Sequence, residues 1–304
     1  MEEESQENII SLVNSIFNVG EFTKTEFTLE FKITDIEFQT KFEDLARGLE
    51  NMSYVCKLLK KDNEIYVQIQ KFTVKKSRKL LNATWTPRFL FVIVISFVMI
   101  DGYYRTSGTN SIVEIGDPFQ MAIVYTLALL GILGTHELGH IIAAKMHRLK
   151  TSWPYFIPGL PVIGIPTFGA FIQSKGLTIN RRILFDVAIA GPIAGLVITM
   201  IVSLYGAYTA PILDQEIAEG LFADQILVEW EQGEPLLMTA SLAVFGKGGP
   251  GYEVIMTPVM FAAWIGFLIT FLNLLPAWQL DGGHMARTLL GQKIHRYATY
   301  GSML

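Results

Sequence analysis

Apolar and polar positions alternate in part across residues 21–39, with Phe27, Leu29, Phe31 and Ile33 on one side, the period-2 mark of a half-buried strand. Residues 40–51 read as an amphipathic helix. Two further strand-like runs, 54–59 and 65–72, flank Asp62 and Asn63, residue types that suit a tight turn. The pattern predicts a small α+β soluble domain over 1–82. Beyond it the alternation gives way to long apolar runs at about 86–104, 119–147, 183–210 and, with a break, 254–290. Each reaches the roughly 20 residues that a hydrocarbon core of about 30 Å demands. Residues 83–304 are therefore expected to form a multi-span α-helical membrane core of about four spans. The first span is the weakest, because Asp101 interrupts it; Trp85, Tyr103 and Tyr104 at its ends suit the membrane interface.

Composition sharpens this picture. Hydrophobic residues make up 51% of the 304 and charged ones only 17%, against a usual charged share of about 25%. Such a balance excludes a disordered or nucleic-acid-binding chain, and leaves the lipid bilayer as the expected surrounding. The net charge of −4 implies no partner of either sign, and a single cysteine, Cys56, excludes an intrachain disulfide framework and reads as a small core residue. The start, MEEESQENII, lacks the basic and apolar regions of a signal peptide, so the amino terminus is expected to stay where it was made.

Basic residues give an orientation. Lys75, Lys76, Arg78, Lys79 and Arg88 precede span one, and Lys145, Arg148, Lys150, Lys175, Arg181 and Arg182 follow span two. The other two links carry only Arg105 and Lys247, the latter amid seven acidic residues between 211 and 250. Positive residues are retained on the cytoplasmic side, so a cytoplasmic amino terminus is expected for this multi-pass protein.

The candidate chemistry lies inside the apolar runs. Span two contains Gly134-Thr135-His136-Glu137-Leu138-Gly139-His140. At 100° per residue the two imidazoles stand about 40° apart on one helix face, one turn from each other, where both can reach one cation. In this HExxH arrangement the histidines bind zinc and the glutamate takes a proton from water. Ionisable groups inside a membrane cost about 2.5–3.5 kcal/mol each on insertion scales, so they need a partner, and a metal supplies one. Catalytic zinc has three protein ligands, and the better source for the third is Asn273-Leu274-Leu275-Pro276-Ala277-Trp278-Gln279-Leu280-Asp281-Gly282-Gly283-His284. Pro276 breaks the helix, Gly282 and Gly283 are expected to allow backbone angles closed to other residues, and broken membrane helices line protein-enclosed or wet cavities. Asp281 is thus placed to complete a His2Asp centre. His147 reads as an interfacial residue and His284 as a structural neighbour, not as ligands.

The pair HELGH and NLLPAWQLDGG resembles the site-2 protease family of intramembrane zinc metalloproteases, whose pattern is HExxH plus NxxPxxxLDG. The resemblance spans roughly residues 119–290. It implies one Zn2+ held by His136, His140 and Asp281, with Glu137 as catalytic base and Asn273 as a polar group near the substrate carbonyl. It implies transmembrane protein substrates, cleaved within or near their membrane segment. The orientation given by the basic residues, with His136 about seventeen residues into span two, is expected to put the site toward the cytoplasmic side. Residues 153–176, rich in Pro and Gly yet apolar, look like a hairpin dipping into the membrane, and the family's substrate-side sheet is best matched by Phe168, Gly169, Ala170 and Phe171. Gly191-Pro192-Ile193-Ala194-Gly195 resembles the family's third core helix, though packing alone would explain its small residues. Two rival readings stand beside it: a non-proteolytic zinc-binding transporter or sensor with the same ligands, which has no need of Glu137, and a membrane metalloprotease of the prenyl-protease kind with its third ligand drawn from another acidic residue, which Asp281 within LDGG opposes.

Overall fold

The structure, a computed structural model, describes residues 2–25, 28–72, 85–173, 180–227, 233–247, 249 and 251–302. Phe27, the basic run 75–79 and Lys175 lie outside the described residues, as do Glu229 and Glu231 of the acidic link. The described residues of 1–79 form one compact unit, and those of 80–175 and 181–304 another.

The first unit is a four-stranded antiparallel sheet with two helices. In chain order it comprises α1 (Glu2–Ile16), β1 (Val19–Lys24), β2 (Thr28–Ile33), α2 (Phe38–Asn51), β3 (Tyr54–Lys61) and β4 (Glu64–Lys71), with sheet order β1-β2-β4-β3. The stretch expected as one strand over 21–39 divides into β2, the end of β1 and the start of α2. Leu29, Phe31 and Ile33 alternate inward from β2, as do Val67 and Ile69 from β4, and they meet Leu45 and Leu49 of α2. Asp62 and Asn63 both take positive φ, 48° and 66°, the geometry of a type I′ turn that matches strand twist. Helix α1 is the element the period-2 reading passes over; its Ile9 and Val13, one turn apart, and the following Phe17 close the same core.

The second unit is built on three helices long and apolar enough to span a bilayer, α3 (Thr86–Asn110), α4 (Pro118–Met146) and α5 (Arg181–Thr209). The chain is a multi-span helical membrane protein. A hairpin of β5 (Tyr155–Pro158) and β6 (Thr167–Phe171) joins α4 to α5. The acidic link after α5 folds into β7 (Ile212–Asp214), α6 (Gln215–Ala223), α7 (Leu236–Val244) and β8 (Tyr252–Val254), with β7 and β8 paired. Lys247 donates to the carbonyls of Tyr208 and Ala210 at the end of α5, 2.6 and 2.7 Å away, where a cation meets orphan acceptors and the negative end of the helix dipole.

The fourth apolar run forms two helices, α8 (Pro258–Leu274) and α9 (Asp281–Gly301), separated by a non-helical segment. Thr257 caps α8 by accepting from the Met260 amide, with Pro258 in the first helical turn. Its 17 residues extend about 25 Å, short of a full crossing. The first ten are apolar and buried, which marks the centre of a bundle. Helix α8 packs on α5 and α4, and α9 packs on α5. Gly282 and Gly283 lie in the first turn of α9, and neither takes the positive φ expected for it. They are small for another reason: a methyl at Gly282 would overlap the Leu274 carbonyl, and one at Gly283 would come within 2.5 Å of the Ala277 and Trp278 oxygens. The helix start is pressed onto the backbone of the segment before it.

Candidate metal centre

His136, Glu137 and His140 sit about two thirds of the way along α4 and are 5, 4 and 6% exposed. Helix α5 sets the imidazoles in place. Nδ1 of His140 lies 2.7 Å from the Val187 carbonyl oxygen; that oxygen can only accept, so Nδ1 carries the ring proton and Nε2 presents its lone pair. Gly191 faces this ring so closely that a methyl there would overlap Nε2, and a methyl on Gly195 would lie 3.0 Å from Nδ1 of His136. The small residues of GPIAG, which packing alone could account for, are the floor under both rings. The complementary contact is Gly139 of α4, where a Cβ would come within 2.5 Å of the Ala190 oxygen.

Asp281 arrives from the other side at the first position of α9. Its Oδ2 lies 3.2 Å from Nε2 of His136 and 3.3 Å from Nε2 of His140, and the two nitrogens are 3.2 Å apart. These three atoms form the group able to hold a metal ion among the described residues. Ligand atoms around a tetrahedral zinc with bonds of about 2.0–2.1 Å stand about 3.3 Å apart. Two imidazole nitrogens and one carboxylate oxygen at this spacing are donors that zinc takes, so the set fits zinc in both distance and chemistry. Glu137 Oε2 is buried and has no hydrogen-bond partner among the described residues.

Comparison with known proteins decides the family. The Peptidase family M50 matches residues 124–302, more than half of the chain. The chain belongs to Peptidase family M50, the site-2 protease family. It is 32% identical over 165 residues to the probable zinc metalloprotease EGY2, chloroplastic, of Arabidopsis thaliana, covering 53% of this chain and 28% of that protein. It is 33% identical over 172 residues to the probable zinc metalloprotease EGY1, chloroplastic, of the same plant, covering 56% and 30%. The M50 chain thus spans less than a third of the length of these curated relatives. No solved structure matches it significantly.

The other predicted residues of this M50 chain fall as follows. Asn273, on the last turn of α8, brings Nδ2 to 3.3 Å from Nε2 of His136, so its amide borders the point where the ligands converge. Phe168 and Phe171 of β6 are 60 and 43% exposed, Ala170 pairs with Phe156, and Phe171 with Tyr155. Strand β6 lies against α4, and a Cβ on Gly169 would touch Ile269, one turn before Asn273. Among the described residues no second strand pairs with β6. His147 stands apart from the ligand set, with Nε2 3.1 Å from Asp186. Sequence reasoning missed Val187, because a backbone acceptor has no residue signature.

Proposed function

We propose that this chain is a zinc endopeptidase that hydrolyses a peptide bond within or beside a transmembrane segment of its protein substrates, with one zinc ion held by His136, His140 and Asp281. Zinc in such a site polarises a carbonyl and lowers the pKa of water to about 7. Glu137 is the base: Oε2 receives a proton from the attacking water and passes it to the nitrogen of the leaving amine. Asn273, once the His136 lone pair is engaged, has an amide free to donate to the oxygen of the scissile carbonyl as negative charge develops there. The outer edge of β6, over Phe168, Gly169, Ala170 and Phe171, offers backbone partners to a substrate segment that leaves its helix to be cut. In this reading residues 1–82 are a cytoplasmic domain, 83–304 the membrane-embedded protease core, and the basic residues after α4 put the site toward the cytoplasm.

The unpartnered Oε2 of Glu137 carries this reading. A buried acceptor left without a donor is costly unless it serves a group that arrives during function. A metal carrier would have no use for it. Glu137→Gln keeps the shape and removes the base. Turnover of a single-span substrate, read by mass spectrometry of the fragments, should fall by about 10²–10⁴-fold while bound zinc stays unchanged; undiminished cleavage would reject the role.

A further inference from the structure

Asp101 is 0% exposed, although it lies in a helix that spans the membrane. Its Oδ2 accepts from Arg105 Nε at 2.7 Å and from the Tyr125 hydroxyl at 2.8 Å. The Arg105 guanidinium lies over the Phe261 ring, its Cζ 3.6 Å from the ring centre. These contacts join α3 to α4 and α8, and bundle packing would account for them. Two further bonds go elsewhere. Oδ1 of Asp101 accepts from the Val162 amide at 2.8 Å, and Nη2 of Arg105 donates to the Gly164 carbonyl at 3.0 Å. One bond from each residue of the ion pair thus grips the tip of the β5–β6 hairpin, on either side of Ile163.

Val162 has φ of 70°, a region that a β-branched residue occupies only when its surroundings enforce it. The tip is closed by bonds from Leu160 N to Ile165 O and from Gly159 N to Pro166 O, at 2.9 and 3.0 Å. From there the ladder runs through Pro158 and Thr167 to Phe156 and Ala170. Fixing the tip therefore fixes where β6 lies beside α4. Helix α3 precedes residues 124–302, so the ion pair lies outside the part of the chain that the family matches.

We propose that Asp101 and Arg105 are positioning residues, a two-point clamp that holds the hairpin so that β6 presents its edge to substrate; the second clause rests on the function proposed above. An intramembrane ion pair is a functional feature by default, and replacing such a pair by apolar residues of similar size often leaves stability intact. That separates clamp from scaffold. In the unaltered zinc-loaded protein, the amide of Val162, an exposed tip residue, should exchange with solvent at least about 100-fold more slowly than a free loop amide. In Asp101→Leu/Arg105→Met combined with Tyr125→Phe, which removes the hydroxyl that would otherwise be stranded, zinc content and thermal midpoint should hold, exchange across 160–171 should rise at least about tenfold, and KM for a single-span substrate should rise about tenfold with kcat within about threefold. Arg105→Lys, which keeps the charge but loses the fork, should give an intermediate effect, and it decides the matter if the combined variant fails to load zinc. Free-loop exchange at Val162, unchanged exchange in the variants, or altered exchange with unaltered KM would each overturn the proposal. If the unaltered protein cleaves no substrate, the proposed function fails, whereas the clamp is then judged by exchange alone.

Discussion

A methyl group added at Gly191 would overlap the His140 ring, whereas nothing lies within 4 Å of one added at Gly131 on α4. Gly191→Ala should therefore lower zinc occupancy severalfold, measured by elemental analysis of the purified protein, and Gly131→Ala should leave it near full. The contrast isolates a steric cause, because both positions are helical. Cys56 supplies a second residue-scale test, in the first unit. Burial pushes its thiol up to about 12, so at pH 8 it holds roughly a thousandfold less thiolate than an ordinary cysteine. Alkylation of this single cysteine should be correspondingly slow in the folded protein and return to the ordinary rate in denaturant, followed by intact mass. The cluster of His136, His140 and Asp281 was legible in the sequence because metal chemistry restricts both residue type and helical spacing, and the structure brings these three residues together. Gly191 and Gly195 were legible only as small residues, since the rings they accommodate belong to another helix. Asp101, which weakened the first span on hydropathy, is instead buried inside it by partners distant in sequence.

Among elements, the fourth apolar run changes most between pattern and fold. A straight helix from residue 254 would carry Asp281 too deep for the histidines; the late start at Pro258 and the segment 275–280 together correct its depth. Both proline signals were visible, but their combined effect depends on what α9 packs against. Helix α1 escaped notice because its acidic start masks the spacing of Ile9 and Val13. The β5–β6 hairpin was visible from its Pro and Gly content, while the anchoring of its tip was not, because the groups that bond it, Asp101 and Arg105, lie on α3, 61 and 59 residues away in sequence. Proline at Ala170 removes a backbone donor from β6. Ala170→Pro should reduce substrate cleavage at least about tenfold through misplacement while zinc content stays constant; retained cleavage would remove the strand-pairing role.

Considered whole, the molecule offers a fluorescence test for the proposed zinc. All five tryptophans lie at or beyond position 85, so none belongs to the first unit. A ligand at about 100 times its Kd stabilises the folded state by about 2.7 kcal/mol, which for roughly 200 residues corresponds to about 5–10 °C. Chelation should lower the tryptophan-monitored transition by that amount, and restoring zinc should reverse it. A transition indifferent to chelator would mean that the three ligands hold no ion.

Asp281 reaches the histidines from a helix begun anew after residues 275–280, not from a continuation of theirs. A zinc ion shared between them as proposed would fasten chain positions about 140 residues apart, and tying so long a loop would restrain the open ensemble much as a covalent staple does. Stripping the ion would unbuckle that clasp, and the 275–280 connection is where an added protease should then find its earliest cut.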